Sequence, residues 1–156
     1  MSIHQKSDLI VMQRDMQARK QGYSANSYIQ ALQLGLPSIW KPNSIFQQDN
    51  APIHTANKTR AYLRSIKLEF LENWPPYSPD LDPIEHLWST LEQKQYELFQ
   101  ECETWSGTEE EVNERLEFAL VEAFARIDGK IVLHLTESMQ ERVQAVINAE
   151  GWYTKY

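Results

Sequence analysis

The stretch FQQDNAPIHTA, residues 46–56, decides the predicted fold, because it carries the chain from a strand into a helix. The run SIFQQD, residues 44–49, is predicted to be a short β-strand. Apolar positions then recur at helical spacing from Thr55 to Ile66, which predicts an amphipathic helix. Its buried stripe is expected to contain Ala56, Thr59, Leu63 and Ile66. Asp49 therefore closes a strand at the mouth of a turn.

Strands and helices alternate outward from this stretch. Upstream, DLIVMQRD (Asp8 to Asp15) is predicted to be a buried strand, and a helix is expected from about Ala25 to Leu34. Gly35 and Pro37 are expected to stop that helix. Downstream, LEFL (residues 68–71) is a third short strand candidate. This alternation predicts an α/β fold with a mostly parallel sheet and helices against its faces.

A proline-rich loop, ENWPPYSPDLDP (residues 72–83), leads into the helical part of the chain. Its four prolines favour a stiff extended segment. Asp82 is predicted to be the N-cap of the next helix, with Pro83 at its first position and Glu85 in the capping-box position. The buried face of that helix is expected to contain Ile84, Leu87, Trp88, Leu91 and Leu98.

Two further helices are predicted towards the end of the sequence. One is capped by Thr108 together with Glu111 and runs to about Ile127. The last extends from near Glu137 to Ala149 and ends at Gly151.

Asp49 and Glu85, with 35 residues between them, are the candidate catalytic and metal-binding residues. The helical crossover between residues 44–49 and 68–71 makes the two strands parallel neighbours, so both end at one edge of the sheet. The loop after Leu71 then starts beside Asp49 and leads to Glu85. Carboxylates at such an edge suit Mg²⁺, and paired ions promote phosphodiester displacement.

Each of these acidic residues also has a purely structural interpretation. Asp49 is equally able to form an Asx-turn or to cap the following helix. The Glu85 side chain is able to return to the backbone as part of a capping box. His54 and His86 either extend a site or are structural or solvent-facing groups. The residues expected to serve only the turn and the cap are Asp80 and Asp82.

The charge distribution bears on nucleic-acid binding. The net charge of −7 argues against a chain that simply coats nucleic acid. The acidic residues concentrate towards the end, because residues 101–156 carry twelve acidic and five basic groups, whereas residues 1–47 carry two and five. The candidate phosphate contacts, which have a solvated helix face as their alternative, are Lys58, Arg60, Arg64 and Lys67. The aromatic residues assigned to packing, with base stacking as the alternative, are Trp74, Tyr77 and Trp88.

Length and composition limit the remaining possibilities. A chain of 156 residues with 42% hydrophobic residues suits one globular domain. No apolar run approaches the roughly 20 residues of a membrane span, so no membrane partner is expected. The single cysteine, Cys102, has no partner for an internal disulfide and is expected to be an unreactive thiol in an intracellular protein.

The motifs QQDNAPIHTA and NWPPYSPDLDPIEHLW, at this separation, resemble the DDE transposase catalytic domain of the Tc1/mariner superfamily. The segments GYSANSYIQAL and RVQAVINAEGWYTKY resemble those of fungal Tc1-like elements, so the similarity extends over nearly the whole chain. It implies an RNase H-like fold, with a mixed sheet flanked by helices and a helical C-terminal tail.

The resemblance also implies a chemistry. Asp49 corresponds to the second catalytic aspartate and Glu85 to the third acidic residue, both as ligands of Mg²⁺ or Mn²⁺. The implied reaction is DNA cleavage at transposon ends and strand transfer to target DNA, in the nucleus. A second copy of the chain or a full-length transposase is the implied protein partner. Asp82 stands where asparagine is commoner in the family, and either residue caps a helix.

One family feature is expected to be missing. The first catalytic aspartate of the family lies upstream of the region where this sequence begins, and neither Asp8 nor Asp15 corresponds to it. The sequence therefore predicts an N-terminally incomplete domain with impaired activity. The alternative is a non-catalytic remnant that binds DNA or a transposase.

Overall fold

The computed structural model describes residue 1, residues 5–76 and residues 78–156. The chain divides into two compact units, one of residues 10–77 and one of residues 1–9 with 78–156. In the described part, no helix is both long enough and apolar enough to cross a membrane. The expectation for Tyr77 lies outside the described residues.

In the described residues, the unit of residues 10–77 contains three helices, the second of them a single short turn, and a β-bridge. The helices are α1 (Ala25–Ile39), α2 (Pro52–Thr55) and α3 (Asn57–Ser65). Their core consists of Leu32, Leu36, Leu63 and Leu68, with the aromatic rings of Tyr28, Trp40, Phe46, Tyr62 and Phe70 packed around it. Burial of this apolar surface is what holds the short elements together.

Among the described residues of the predicted strands, Phe46 and Phe70 form a parallel bridge. The Phe46 N–H donates to Glu69 O at 2.8 Å, and the Leu71 N–H donates to Phe46 O at 3.0 Å. The parallel direction of these two segments is therefore as predicted. In the described residues neither segment forms a regular strand, and Asp8 to Asp15 has no regular secondary structure, so the mixed sheet stays a prediction.

Helix α1 departs from its predicted end. Ser24 caps its start through a capping box with Ser27, but the helix runs through Pro37 to Ile39 instead of stopping near Gly35. A proline removes one hydrogen bond and crowds the preceding turn. The buried Leu36 offsets this cost by joining the core, and the Trp40 N–H still donates to Leu36 O at 2.8 Å.

Four helices form the unit of residues 1–9 and 78–156. These helices are α4 (Ile84–Leu98), α5 (Glu109–Ala125), α6 (Gly129–Glu137) and α7 (Met139–Asn148). Two 3₁₀ turns, Pro79–Leu81 and Gln100–Thr104, precede and follow α4. The core contains Leu87, Leu91, Ala123, Phe124, Ile127, Val132 and Leu135. Trp88, predicted to be on the buried face of α4, is instead 39% exposed.

The predicted last helix is confirmed as α7, and a further helix that was not predicted, α6, lies directly before it. Asp128 caps α6 by accepting a hydrogen bond from the Lys130 N–H at 2.9 Å, and this helix start was not predicted from the sequence. A new helix then begins after Ser138. The capping box of Thr108 and Glu111 at the start of α5 forms as predicted.

Candidate functional site

Asp49 lies in a turn and keeps one carboxylate oxygen available. Its Oδ1 accepts a hydrogen bond from the Ala51 N–H at 2.9 Å, which is the predicted Asx-turn. The same Oδ1 lies 2.5 Å from His54 Nδ1. The side chain is 57% exposed, and within the described residues Oδ2 accepts no hydrogen bond. The turn fixes the carboxylate without using both of its oxygens.

His54 is held in place through its ring and through its backbone carbonyl. Its ring packs against the Tyr28 ring with centroids 4.1 Å apart, and Gln48 Nε2 donates to the His54 carbonyl at 3.2 Å. The Tyr28 hydroxyl in turn donates to Gln48 Oε1 at 3.0 Å. Burial, and secondly the charge of Asp49, raises the pKa of Tyr28, so the phenol keeps the proton it donates.

Glu85 is exposed on the first turn of α4. The predicted capping box is wrong, because the Asp82 amide donates to Pro79 O at 2.9 Å and is not available to the Glu85 side chain. The N-cap of α4 is Pro83 and not the predicted Asp82, although Asp82 Oδ1 accepts a hydrogen bond from the Ile84 N–H at 3.3 Å. In the described part of the chain the Glu85 carboxylate has no hydrogen-bond partner, so it is open to solvent.

The two candidate metal ligands belong to different compact units. Asp49 is in the unit of residues 10–77, and Glu85 is in the unit that contains residues 78–156. Across the described residues, no group of three or more His, Cys, Asp or Glu side chains forms a metal cage. The convergence of Asp49 and Glu85 therefore stays a prediction.

The residues nonetheless fit a hard divalent cation in their chemistry. Mg²⁺ is bound through one or two protein carboxylates, with the remaining positions filled by water and phosphate oxygens. The open Oδ2 of Asp49 and the exposed carboxylate of Glu85 are ligands of this kind. Each of the two carboxylates is suited by its chemistry to bind such an ion.

The candidate phosphate contacts lie on or just after α3. Lys58 donates to Asn26 Oδ1, and Arg64 forms an exposed ion pair with Glu72 at 2.8 Å. The hydrogen bond from Arg64, its charge and that of Arg60 lower the pKa of Glu72. Lys67 is exposed and follows the helix with φ of 54°. The helix has the predicted basic outer face, although Ile66 is 43% exposed and does not complete the predicted buried stripe.

The residues that support the acidic pair were not predicted from the sequence. Tyr28 donates to Gln48, 20 positions away, and packs against the His54 ring, and Gln48 donates to the His54 carbonyl, 6 positions away. Arg142 donates to the carbonyl of Asp80 and contacts His86 Nδ1, at separations of 62 and 56 positions. The one sequence feature that could have indicated these supporting residues is that Gln48, Asp49 and His54 lie close together in the chain.

Comparison with known proteins assigns the family. A family model described as DDE superfamily endonuclease matches residues 2–104. The Tcb1 transposase of Caenorhabditis briggsae is 40% identical over 113 residues, which are 72% of this chain and 37% of that protein. The chain belongs to the DDE superfamily endonucleases, in the Tc1/mariner group of transposases. It spans about a third of the length of the curated relatives it matches.

Solved structures agree with this assignment. A structure of the Mos1 transposase catalytic domain and Raltegravir with Mg has a TM-score of 0.61 and 28% identity, covering 85% of this chain and 66% of that one. A crystal structure of the Mos1 mariner paired end complex with Mn has the same TM-score, identity and coverage of this chain, and 38% of that chain is covered. The chain therefore shares the fold of mariner transposase catalytic domains.

Proposed function

We propose that this chain is the catalytic portion of a DNA transposase, in which Asp49 and Glu85 are ligands of Mg²⁺ or Mn²⁺. The observation that carries the proposal is the open state of both carboxylates at the two family motifs. The site would act on DNA phosphodiesters at transposon ends and in target DNA, in the nucleus, within an RNase H-like fold. The Mg and Mn of the Mos1 structures support the choice of metal.

In this proposal the acidic residues bind the metal ion and the basic residues contact the DNA. Asp49 would hold the cation through Oδ2 while His54 and the Ala51 amide keep Oδ1 in place. Glu85 would supply the second carboxylate from the start of α4. Bound divalent ions supply activation of a water or 3′ hydroxyl and stabilisation of the departing oxygen. The exposed basic residues on and after α3 would contact the DNA backbone.

Mn²⁺ binding to the 156-residue chain, measured from the loss of the free-ion electron paramagnetic resonance signal, tests the assignment. Asp49→Asn and Glu85→Gln should each weaken binding by about tenfold, which corresponds to about 1.4 kcal/mol. The matched controls are Asp8→Asn and Glu92→Gln, two exposed carboxylates, the second on the same helix as Glu85. Equal affinities in all four variants would remove the metal-binding role from Asp49 and Glu85.

The functional measurement is the cleavage of transposon-end DNA by a longer form of the transposase that also carries residues upstream of this sequence. The same two substitutions should abolish metal-dependent nicking there, whereas the control variants should retain it. Nicking that persists in Asp49→Asn and Glu85→Gln would contradict the catalytic assignment. DNA binding without any nicking in the unsubstituted protein would favour a DNA-binding remnant.

A further inference from the structure

Arg142 is a buried cation in the unit of residues 1–9 and 78–156. It is 2% exposed and projects from α7, and it is the largest fully buried side chain in the described part of the chain. Removing a guanidinium from water is costly unless its donors are satisfied. Burial lowers the pKa of Arg142, which shows the same cost. The hydrogen bonds of the Arg142 guanidinium therefore have to offset this cost.

The contacts of Arg142 join three separate segments. Nη1 donates to the carbonyl oxygen of Asp80 at 2.9 Å, and Nε donates to Ser138 Oγ at 2.9 Å. Nη2 lies 3.4 Å from His86 Nδ1. The planar guanidinium presents these donors at fixed angles, which a flexible lysine or an apolar residue does not. Arg142 thereby connects α7 to the turn before α4 and to α4 itself.

Residues 154–156 also contact Arg142, Asp80 and α7. The Tyr156 ring lies with its centroid 4.7 Å from the Arg142 guanidinium carbon. The Thr154 hydroxyl donates to Asp80 Oδ2 at 3.0 Å, and the Tyr156 hydroxyl donates to Glu141 Oε2 at 3.1 Å. Asp80 is therefore held through its backbone by Arg142 and through its side chain by Thr154.

The held residues lie on either side of Glu85 in the sequence. Asp80 belongs to the 3₁₀ turn Pro79–Leu81, whose Pro79 carbonyl accepts the hydrogen bond from the Asp82 amide. The Asp82 carbonyl then accepts from the Glu85 amide at 3.2 Å. His86, the other contact of Arg142, directly follows Glu85. Contacts before and after Glu85 restrict the direction in which its carboxylate leaves the helix.

We propose that Arg142, Thr154 and Tyr156 form a clamp that holds the start of α4, and that Arg142 is a positioning residue for Glu85. The clamp itself follows from the contacts above, whereas its purpose rests on the proposed function of Glu85 as a metal ligand. The clamp fixes the backbone that carries Glu85 before any cation binds. Loss of the clamp should therefore weaken metal binding even where the fold is kept.

Amide hydrogen exchange in the full chain tests the clamp without any metal. Thr154→Val removes the hydrogen bond to Asp80 and the one from the Tyr156 N–H but leaves Arg142 in place, whereas Arg142→Met removes the guanidinium. Both should accelerate exchange of the Asp82 and Glu85 amides, by about tenfold in Thr154→Val, with α5 amides unchanged in that variant. The matched control is Arg126→Met, which removes an exposed arginine paired with Glu122. Unchanged exchange at Asp82 and Glu85 in Thr154→Val, or equal acceleration throughout the unit, would overturn the clamp.

Mn²⁺ affinity of the same variants tests the positioning role. Thr154→Val should weaken Mn²⁺ binding by about threefold with the melting temperature nearly unchanged, and Arg126→Met should leave the affinity unaltered. Faster local exchange together with unaltered affinity would overturn the positioning role. If Glu85→Gln itself leaves Mn²⁺ binding unchanged, the proposed function and the positioning role both fail, and the exchange experiment alone decides the clamp.

Discussion

At the residue scale, competition for single hydrogen-bond donors decides how the two acidic residues are presented. The amide of Asp82 is used by the Pro79 carbonyl, so Glu85 is released from the capping box. The Ala51 amide and His54 both use Oδ1 of Asp49, which leaves Oδ2 open. At the start of α5 the amide of Thr108 is available, and Glu111 accepts its hydrogen bond at 2.9 Å. The same local pattern thus gives a closed box at one helix and an open carboxylate at another.

Gly107 provides a prediction at this scale. Its φ is +142°, and a Cβ there would lie 2.6 Å from Oε2 of Glu111, the atom that completes the capping box. Gly107→Ala should therefore lower the free energy of unfolding by about 1–2 kcal/mol. Gly129→Ala is the matched control, because a Cβ at Gly129, the first residue of α6, would meet no atom of the described residues within 4 Å. Its stability should be unchanged or higher by up to about 1 kcal/mol.

Urea denaturation followed by circular dichroism measures both glycine variants. A lower midpoint for Gly107→Ala than for Gly129→Ala is the expected result. Equal midpoints would show that the turn before α5 tolerates a side chain and that its box is not under steric constraint.

At the element scale, several features that depend on neighbouring residues were predicted correctly, although the local capping box of Asp82 and Glu85 did not form. The cap at Thr108 and the Asx-turn of Asp49 each join groups two or three positions apart, and both form. The end of α1 was not predictable, because the burial of Leu36 among core residues distant in sequence outweighs the local cost of Pro37. The clamp on α4 likewise depends on the pairing of Asp80 with Arg142, 62 positions away.

Helix α3 gives a prediction about the proposed DNA contacts. The ion pair with Glu72 occupies Arg64, so Glu72→Gln should free a cation for a phosphate. DNA binding should strengthen, and the slope of log affinity against log salt should steepen by about 0.9. Glu69→Gln is the matched control, since it makes the same charge change at an exposed residue on the adjoining segment. Salt-dependent fluorescence anisotropy with duplex DNA measures both variants.

Comparison of the two glutamate variants shows whether a gain in DNA binding comes from loss of the Arg64–Glu72 ion pair or from the change in net charge. A steeper slope in Glu72→Gln alone would support Arg64 as a phosphate contact. The same gain in Glu69→Gln would assign the effect to net charge, and Arg64 would lose its assigned role.

At the scale of the whole molecule, the family and the broad chemistry were readable from two motifs, whereas the sheet was not. QQDNAPIHTA and NWPPYSPDLDPIEHLW identified the DDE superfamily, which the family match over residues 2–104 confirms. The predicted strands needed consecutive backbone pairs with distant segments, and in the described residues Phe46 and Phe70 provide one parallel pair. A motif is a local property, but strand pairing depends on the whole chain.

The uneven charge of the chain predicts how DNA binding responds to salt. Residues 101–156 carry a net charge of −7, and the exposed face of α5 contributes Glu110, Glu114 and Glu117. Replacing these three residues by glutamine should strengthen DNA binding several-fold at about 0.01 M salt, where the Debye length is about 30 Å. At about 0.15 M salt, where that length is about 8 Å, the gain should disappear, because these residues repel DNA without contacting it. Anisotropy titrations at the two salt concentrations measure this difference, and a gain that persists at the higher salt would instead place α5 in the DNA interface.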